Sequence, residues 1–370
     1  MQDYVYKSDE RSLVLTDRYK RQVVLSEIGE VGQKKLSEAS ILCVGAGGLG
    51  SPALLYLAAA GIGKIGIIDQ DVVDSSNLQR QVLYNESDIG KSKAIQAAQH
   101  LSHMNSEICV QTYKDVLNLD NVDALFSEYD LILDGTDNFE AKFLINDAAY
   151  KYQKPFVYGA IQGFDGQVSV FEGSSGPCYR CLYPTPPKAR IANCAESGVI
   201  GAVAGLVGMT QALQAIQYIV GNKSFEPLVG KLWMIDSKTM QTRTLDIPKN
   251  TNCRICGADK ENITLQYSSP ICEFVPEVTV KQALEMDQAV FLDVREQDEW
   301  DEEHINKARH WPLSKLVNNK MPDMDKNYDI VLYCQKGMRS QQAAQIMKSH
   351  GFLNVYNLSG GYDDWIIKAG

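Results

Sequence analysis

The apolar positions of this 370-residue chain fall into short continuous runs, separated by stretches of helical period. Residues 40–44, Ser-Ile-Leu-Cys-Val, are too few for a helix and rich enough in β-branched side chains for a buried strand. They run directly into Gly45-Ala46-Gly47-Gly48-Leu49-Gly50, a helical stretch over 51–60 ended by Gly61, and a second strand over 64–69. Another apolar run, 130–134, delivers Gly135-Thr136-Asp137-Asn138. Past a proline- and serine-bearing stretch at 267–276 the alternation starts afresh, with strands at 290–295 and 330–333 and a helical stretch reaching His350. Strand and helix in alternation predict an α/β chain with parallel sheets. The break predicts two domains, 1–268 and 278–370, joined by a linker at 269–277.

One stretch, 199–222, holds no charged residue and has the length of a membrane span. Thr210, Gln211, Gln214 and Gln217 put polar side chains on it, so the expectation is a buried core or dimer-interface helix and no membrane partner. The first ten residues carry acids and no apolar core, which predicts no export signal and a cytoplasmic protein. A net charge of −10 leaves no basic excess to neutralise phosphates, which argues against nucleic acid as the main partner.

The glycine turn between strand and helix is a nucleotide site by its context. Glycines let the backbone approach a phosphate, and the helix start faces it with unpaired N–H groups. Asp69, closing the second strand, is placed to accept from ribose hydroxyls. Cations gather nearby: Arg80 in Ser76-Asn77-Leu78-Gln79-Arg80-Gln81, Lys93 in Gly90-Lys91-Ser92-Lys93, and Arg21 upstream. Such a set suits a triphosphate being cleaved, because charge builds on its oxygens in the transition state. Asp137, opposite Arg80 and Lys93, is placed to hold magnesium, while Asp137-Asn138 also suits a helix N-cap. Residues 85–92 nearly spell a P-loop. Asn85 replaces its first glycine and no strand runs into it, so the cradle is the 45–50 turn.

Two Cys-x-x-Cys pairs, Cys178/Cys181 and Cys253/Cys256, supply the four thiolates of a structural zinc. Disulfides and separate redox motifs are the other readings of the pairs, disfavoured without an export signal or a thioredoxin-like unit. Cys194 precedes the long apolar helix, where a helix N-terminus would lower a thiol pKa; a small buried hydrophobe is its plainer reading. Cys334 ends a strand and starts Cys334-Gln335-Lys336-Gly337-Met338-Arg339-Ser340 before a helix. Loop N–H groups would form an anion nest there, with Lys336 and Arg339 adding positive charge.

Taken together, the Arg21 segment, G-A-G-G-L-G, N-L-Q-R-Q, D-G-T-D-N and C-Y-R-C-L resemble the MoeB/ThiF group of ubiquitin-activating-type enzymes, over residues 15–257. The resemblance implies a Rossmann-like adenylating domain with a zinc knuckle. Its activity would be adenylation, with ATP and magnesium, of the C-terminal glycine of a ubiquitin-fold sulfur-carrier protein. Carried over by position, it implies ATP contacts at Gly48, Asp69, Ser76, Asn77, Leu78, Gln79, Arg80, Lys93, Asp137 and Asn138. It also implies zinc at the four paired cysteines, and a homodimer in which Arg21 reaches the neighbouring subunit's site. Cys194 aligns with a cysteine that some members use on the acyl-adenylate or in a sulfur-linked intermediate.

Residues 278–370 resemble a single rhodanese domain through Leu292-Asp293-Val294-Arg295-Glu296, His304-Ile305, the Cys334 loop and 358–365. That implies a persulfide on Cys334, loaded from a persulfide or thiosulfate donor. Glu303 stands where the family has glycine, and Asn306-Lys307-Ala308 where it has Pro-Gly-Ala, which changes a turn. The loop has the general rhodanese form and lacks the N-D-S of the eukaryotic fused proteins, so they do not reveal its donor. The joined expectation is a carrier thiocarboxylate for molybdopterin, thiamine or a related sulfur-containing cofactor. A nicotinamide-dependent oxidoreductase on the same βαβ unit, or a non-catalytic carrier-binding scaffold, are the competing readings.

Overall fold

A computed structural model describes residues 17–185, 198–265, 275–286, 288–317 and 320–369. The chain divides into two compact units, Met1–Tyr267 and Ser268–Gly370.

Unit one is built on β1 (Ser40–Val44), β2 (Lys64–Ile68), β3 (Cys109–Tyr113), β4 (Leu131–Asp134), β5 (Phe156–Gln162), β6 (Asp165–Phe171), β7 (Lys231–Asp236) and β8 (Gln241–Asp246). Their order in the sheet is β3-β2-β1-β4-β5-β6-β7-β8. The first five are parallel, and β5 to β8 continue antiparallel. Every residue of β1 is buried, because both faces are covered: Ile41 and Cys43 enter one apolar cluster, Leu42 and Val44 the other. That is why its sequence reads as an unbroken apolar run. The strand order reverses between β1 and β4, the place where open α/β sheets bind ligands. Register sets Val44 beside both Ile68 and Asp134, so the next residues, Gly45, Asp69 and Gly135, leave the sheet at one edge.

The long apolar helix, Gly201–Val220, has the length and composition of a membrane span, yet it packs on β5, β6 and the Gly50–Ala60 helix. Gln211 is fully buried on it and donates to the carbonyls of Asp134 (2.8 Å) and Val157 (3.2 Å). The polar stripe read from sequence therefore serves the core.

Unit two holds five parallel strands in the order β11-β10-β12-β13-β9, with β9 Glu277–Val278, β10 Val290–Asp293, β11 Arg309–His310, β12 Asp329–Tyr333 and β13 Asn354–Leu358. Along β12, Ile330 and Leu332 pack to one face, Val331 and Tyr333 to the other. The Met338–Ser349 helix returns the chain from β12 to β13. Lys307 takes a left-handed conformation (φ 66°), in the segment where the rhodanese pattern has Pro-Gly-Ala, so the altered turn keeps a backbone that favours glycine.

Candidate functional site

Three glycines let two turns press together at the sheet edge. A Cβ on Gly50 would lie 2.0 Å from the Gly45 carbonyl oxygen, and one on Gly135 2.4 Å from it. Gly45 itself has φ +90°. The Gly50–Ala60 helix starts here with no side-chain cap; Ser51 N–H donates to the Gly47 carbonyl at 2.9 Å and Pro52 offers no N–H, so it is Gly47, Gly48 and Leu49 of the turn that line the cleft.

Above this turn lies a cleft of about 1080 Å³. It is lined by Gly48, Asp69, Asp71, Asn77, Arg80, Lys93, Asp137 and Asn138, among others. Ser76, Leu78 and Gln79 are not among its lining residues. Asp69 uses both oxygens on backbone, accepting from Ala46 N–H and Asp71 N–H at 2.8 Å each. It thus staples the glycine turn to the end of β2, and any ribose contact falls to its remaining lone pairs. Burial raises the Asp69 carboxyl above its ordinary value, against the lowering effect of those N–H groups and of Lys93. Lys93 opens the Lys93–Met104 helix with its side chain 7% exposed, and pairs with Asp71 at 3.0 Å. The acid that meets Lys93 is therefore Asp71, whereas Asp137 is exposed across the cleft. Arg80 bonds the Ser76 carbonyl at 2.9 Å. Arg21 is exposed on the Lys20–Val23 helix and does not line this cleft.

The near-P-loop is no cradle. Asn85 caps the Glu86–Asp88 turn, and Gly90 to Ser92 run back along Val73 and Val72.

Asn138 caps the Phe139–Lys151 helix, its Oδ1 accepting from Ala141 N–H at 2.8 Å. Beneath it lies a pair that pattern reading missed. Lys142 is buried and donates to Asp134 Oδ2 (2.8 Å) and to the carbonyls of Thr136 (2.9 Å) and Gly159 (2.7 Å). Asp134 Oδ1 accepts from the Thr136 N–H and hydroxyl. The only sequence signal was an acid at a strand end and a lysine eight residues later in a helix.

The same helix anchors the cysteines at its far end, about 20 Å on. Asp147 is fully buried and takes a two-point bond from Arg180, at 2.6 and 2.7 Å, inside the first Cys-x-x-Cys pair. Tyr150 donates to the Pro177 carbonyl at 2.7 Å. The sulfurs of Cys178, Cys181, Cys253 and Cys256 all lie within 4.8 Å of one another, with Cys178–Cys253 at 3.6 Å and Cys181–Cys256 at 3.4 Å. A tetrahedral zinc with bonds of about 2.3 Å sets its thiolates about 3.8 Å apart, so the four fit one ion. None is disulfide-bonded. The Cys256 contact and burial raise the Cys178 thiol, and a bound cation is what reverses such a shift. Gly257 closes the second knuckle, where a Cβ would lie 2.4 Å from the Thr251 carbonyl oxygen.

Cys334 directly follows β12 and is 2% exposed. Its sulfur accepts from Gly337 N–H at 3.2 Å and from the Ser340 hydroxyl at 3.5 Å. Gly337, at φ 92°, caps the helix behind it. The loop is braced by Arg295, buried on Asp293 and donating to Gln335 at 3.0 Å. The charge around the sulfur is less positive than its residues suggest. Arg339 is clamped by Glu299 through two 2.6 Å bonds, which leaves Lys336 as the exposed cation of the loop. Cys194 lies outside the described residues.

Residues 19–255 match the ThiF family, and residues 278–368 the rhodanese-like domain. The chain is 38% identical to the probable adenylyltransferase/sulfurtransferase MoeZ of Mycobacterium tuberculosis, over 94% of this chain and 92% of that one. It is 43% identical to the sulfur carrier protein adenylyltransferase of Thermus thermophilus, over 65% of this chain and 90% of the relative. A crystal structure of E. coli MccB with ATP superposes with a TM-score of 0.57 at 24% identity, covering 66% of this chain and 75% of that one; this likeness concerns the fold alone. With the register-built cleft and the Cys334 loop, these findings place the chain: it belongs to the ThiF family, as an adenylyltransferase joined to a rhodanese-like sulfurtransferase.

Proposed function

We propose that unit one adenylates the C-terminal carboxylate of a ubiquitin-fold sulfur-carrier protein, and that Cys334 supplies the sulfur that makes it a thiocarboxylate. The observation that carries this is the pairing in one chain of a cleft of about 1080 Å³ beside the glycine turn with a sulfur held by loop N–H and hydroxyl donors. In the first step a carboxylate oxygen attacks the α-phosphorus of ATP, and the bond to the departing pyrophosphate breaks. The N–H groups of Gly47, Gly48 and Leu49, with Arg80 and Lys93, take the charge that grows on the phosphates. Gly48, Asp69, Asn77 and Asn138 would shape the nucleotide site. Asp137 would hold a magnesium ion, which supplies further charge neutralisation when bound.

In the second step the terminal sulfur of a Cys334 persulfide attacks the acyl-adenylate carbonyl and AMP leaves. A thiol, from Cys194 or an external reductant, then attacks the Cys334 sulfur of the acyl disulfide. The S–S electron pair leaves on the carrier as thiocarboxylate, and a new disulfide forms at Cys334. The cysteine cluster would hold a structural zinc. We further propose a homodimer in the cytoplasm, in which Arg21 serves the partner's cleft. Its exposure outside its own cleft, and exposed Met209 and Leu213 on the Gly201–Val220 helix with Ile200 just before it, support that reading.

Carrier-dependent ATP–pyrophosphate exchange, followed by mass spectrometry of the carrier, tests the scheme. Cys334→Ala is expected to keep exchange and lose thiocarboxylate, and Cys194→Ala to keep exchange and Cys334 persulfidation. No exchange in the unaltered enzyme would favour a scaffold, and hydride transfer to a nicotinamide an oxidoreductase. Thiocarboxylate formed at the normal rate by the Cys334→Ala enzyme would make the rhodanese unit a docking module.

A further inference from the structure

A loop that collects sulfur from an anionic donor would be expected to offer that donor its positive charge. Here the guanidinium of Arg339, one residue into the helix behind Cys334, is occupied. Glu299, in the Gln297–Glu302 helix, meets it with both oxygens, at 2.6 Å each. The pair is only 37% and 30% exposed, and its two-pronged geometry is the strong form of such a contact. The other arginine of the site, Arg295, is buried on Asp293. Gln335 is held on its far side by the Asp363 carboxylate. Each arginine is thus matched by a carboxylate, so the Arg339 guanidinium, which also meets the Cys334 sulfur, does so as half of a neutral pair, and exposed Lys336 is left.

Charge then sorts the donors. In each case the Cys334 thiolate attacks the outer sulfur, a Cys334–sulfur bond forms, and the donor's S–S bond breaks with its electron pair on the leaving group. From thiosulfate the leaving group is sulfite, and the transition state gathers three negative charges. From a persulfide the leaving group is a thiolate, and the total is two. We propose that Glu299 is a specificity-determining residue which, by neutralising Arg339, makes Cys334 accept sulfur from persulfides in preference to thiosulfate. This rests on the assignment of Cys334 as the sulfur-accepting thiol.

The test compares kcat/KM for loading Cys334 from thiosulfate, glutathione persulfide and albumin persulfide in the full chain. Glu299→Gln keeps the shape and one acceptor but removes the charge. It should raise the thiosulfate value about tenfold, as expected for one nearby charge in a partly exposed site, and change either persulfide value less than about threefold. Glu299→Asp, which keeps the charge, should retain the original selectivity. The inference is overturned if Glu299→Gln leaves the donor ratio unchanged, lowers all three values together, or raises a persulfide value as much as thiosulfate. A second variant covers a failure to fold. The double variant Glu299→Gln/Arg339→Gln, which removes both charges and keeps the net charge of the pair unchanged, should leave the donor ratio within about threefold, and a selective loss of thiosulfate would show Arg339 already serving the dianion. Intact-mass analysis separates the two levels, because a wild-type Cys334 loaded by no donor would defeat the proposed function itself.

Discussion

Nζ of Lys142 lies 2.8 Å from Oδ2 of Asp134, directly under the turn that carries Asp137 and Asn138 into the cleft. Both side chains are buried, and Lys142 spends its other two donors on the carbonyls of Thr136 and Gly159. One ammonium therefore ties the end of β4 and the middle of β5 to the helix that Asn138 caps. Charge, hydrogen bonding and backbone position are set together at the floor of the site.

Lys142→Met should leave Asp134 as an unpaired buried charge and destabilise unit one by about 3–5 kcal/mol. The half-exposed pair of Lys64 with Glu128, at 3.3 Å, gives the contrast: Lys64→Ala should cost less than about 1 kcal/mol. Urea unfolding of both variants checks this. Equal effects would mean that Lys142 is not the brace.

Lys93→Ala should slow carrier-dependent pyrophosphate exchange about a hundredfold or more, as expected for a charge aimed at the transition state. Asp71→Asn, which leaves the ammonium in place, should stay within about tenfold of the unaltered rate. Near-normal exchange in Lys93→Ala would sink its role in phosphate stabilisation.

Purified protein should carry about one zinc per chain, lost in Cys253→Ala/Cys256→Ala. Chelation should lower the thermal stability of unit one, because the knuckles clasp the far end of the Phe139–Lys151 helix through Asp147–Arg180 and Tyr150. Metal analysis with a melting curve decides it; full zinc retention in the double variant would contradict the four-thiolate site.

Glu299 supplies the pH dependence. The Arg339 hydrogen bonds hold its carboxyl below the ordinary 4.5. Folded Glu299 thus binds its proton less readily than the unfolded chain does. Its contribution is fully present above pH 4.5 and is lost as pH falls through the folded value. Acid unfolding of unit two should therefore be shallower below pH 4.5 in Glu299→Gln than in the unaltered enzyme. Superimposable acid curves would show that the pair adds nothing to the fold.

Much of this protein was legible in order along the chain because its chemistry is local. The Gly45–Gly50 turn, the two cysteine knuckles and the Cys334 loop each fall within a few consecutive residues. Their meaning follows from backbone freedom, ligand spacing and a strand running into a helix. The buried runs also gave the strands, since β1 and β12 are covered on both faces. What tertiary structure alone decided is where charge ends up. Lys93 faced Asp137 in the linear reading and meets Asp71 in space. Arg339 read as a free cation and is held by Glu299, forty residues away. Arg180 finds Asp147 across thirty-three residues, and Gln211 reaches the end of β4 across seventy-seven. Pairing of this kind depends on angstrom-scale distance and on burial, which periodicity along a chain does not encode. The residue types that do the chemistry were visible one by one; which of them neutralise one another became visible only once the strands were in register.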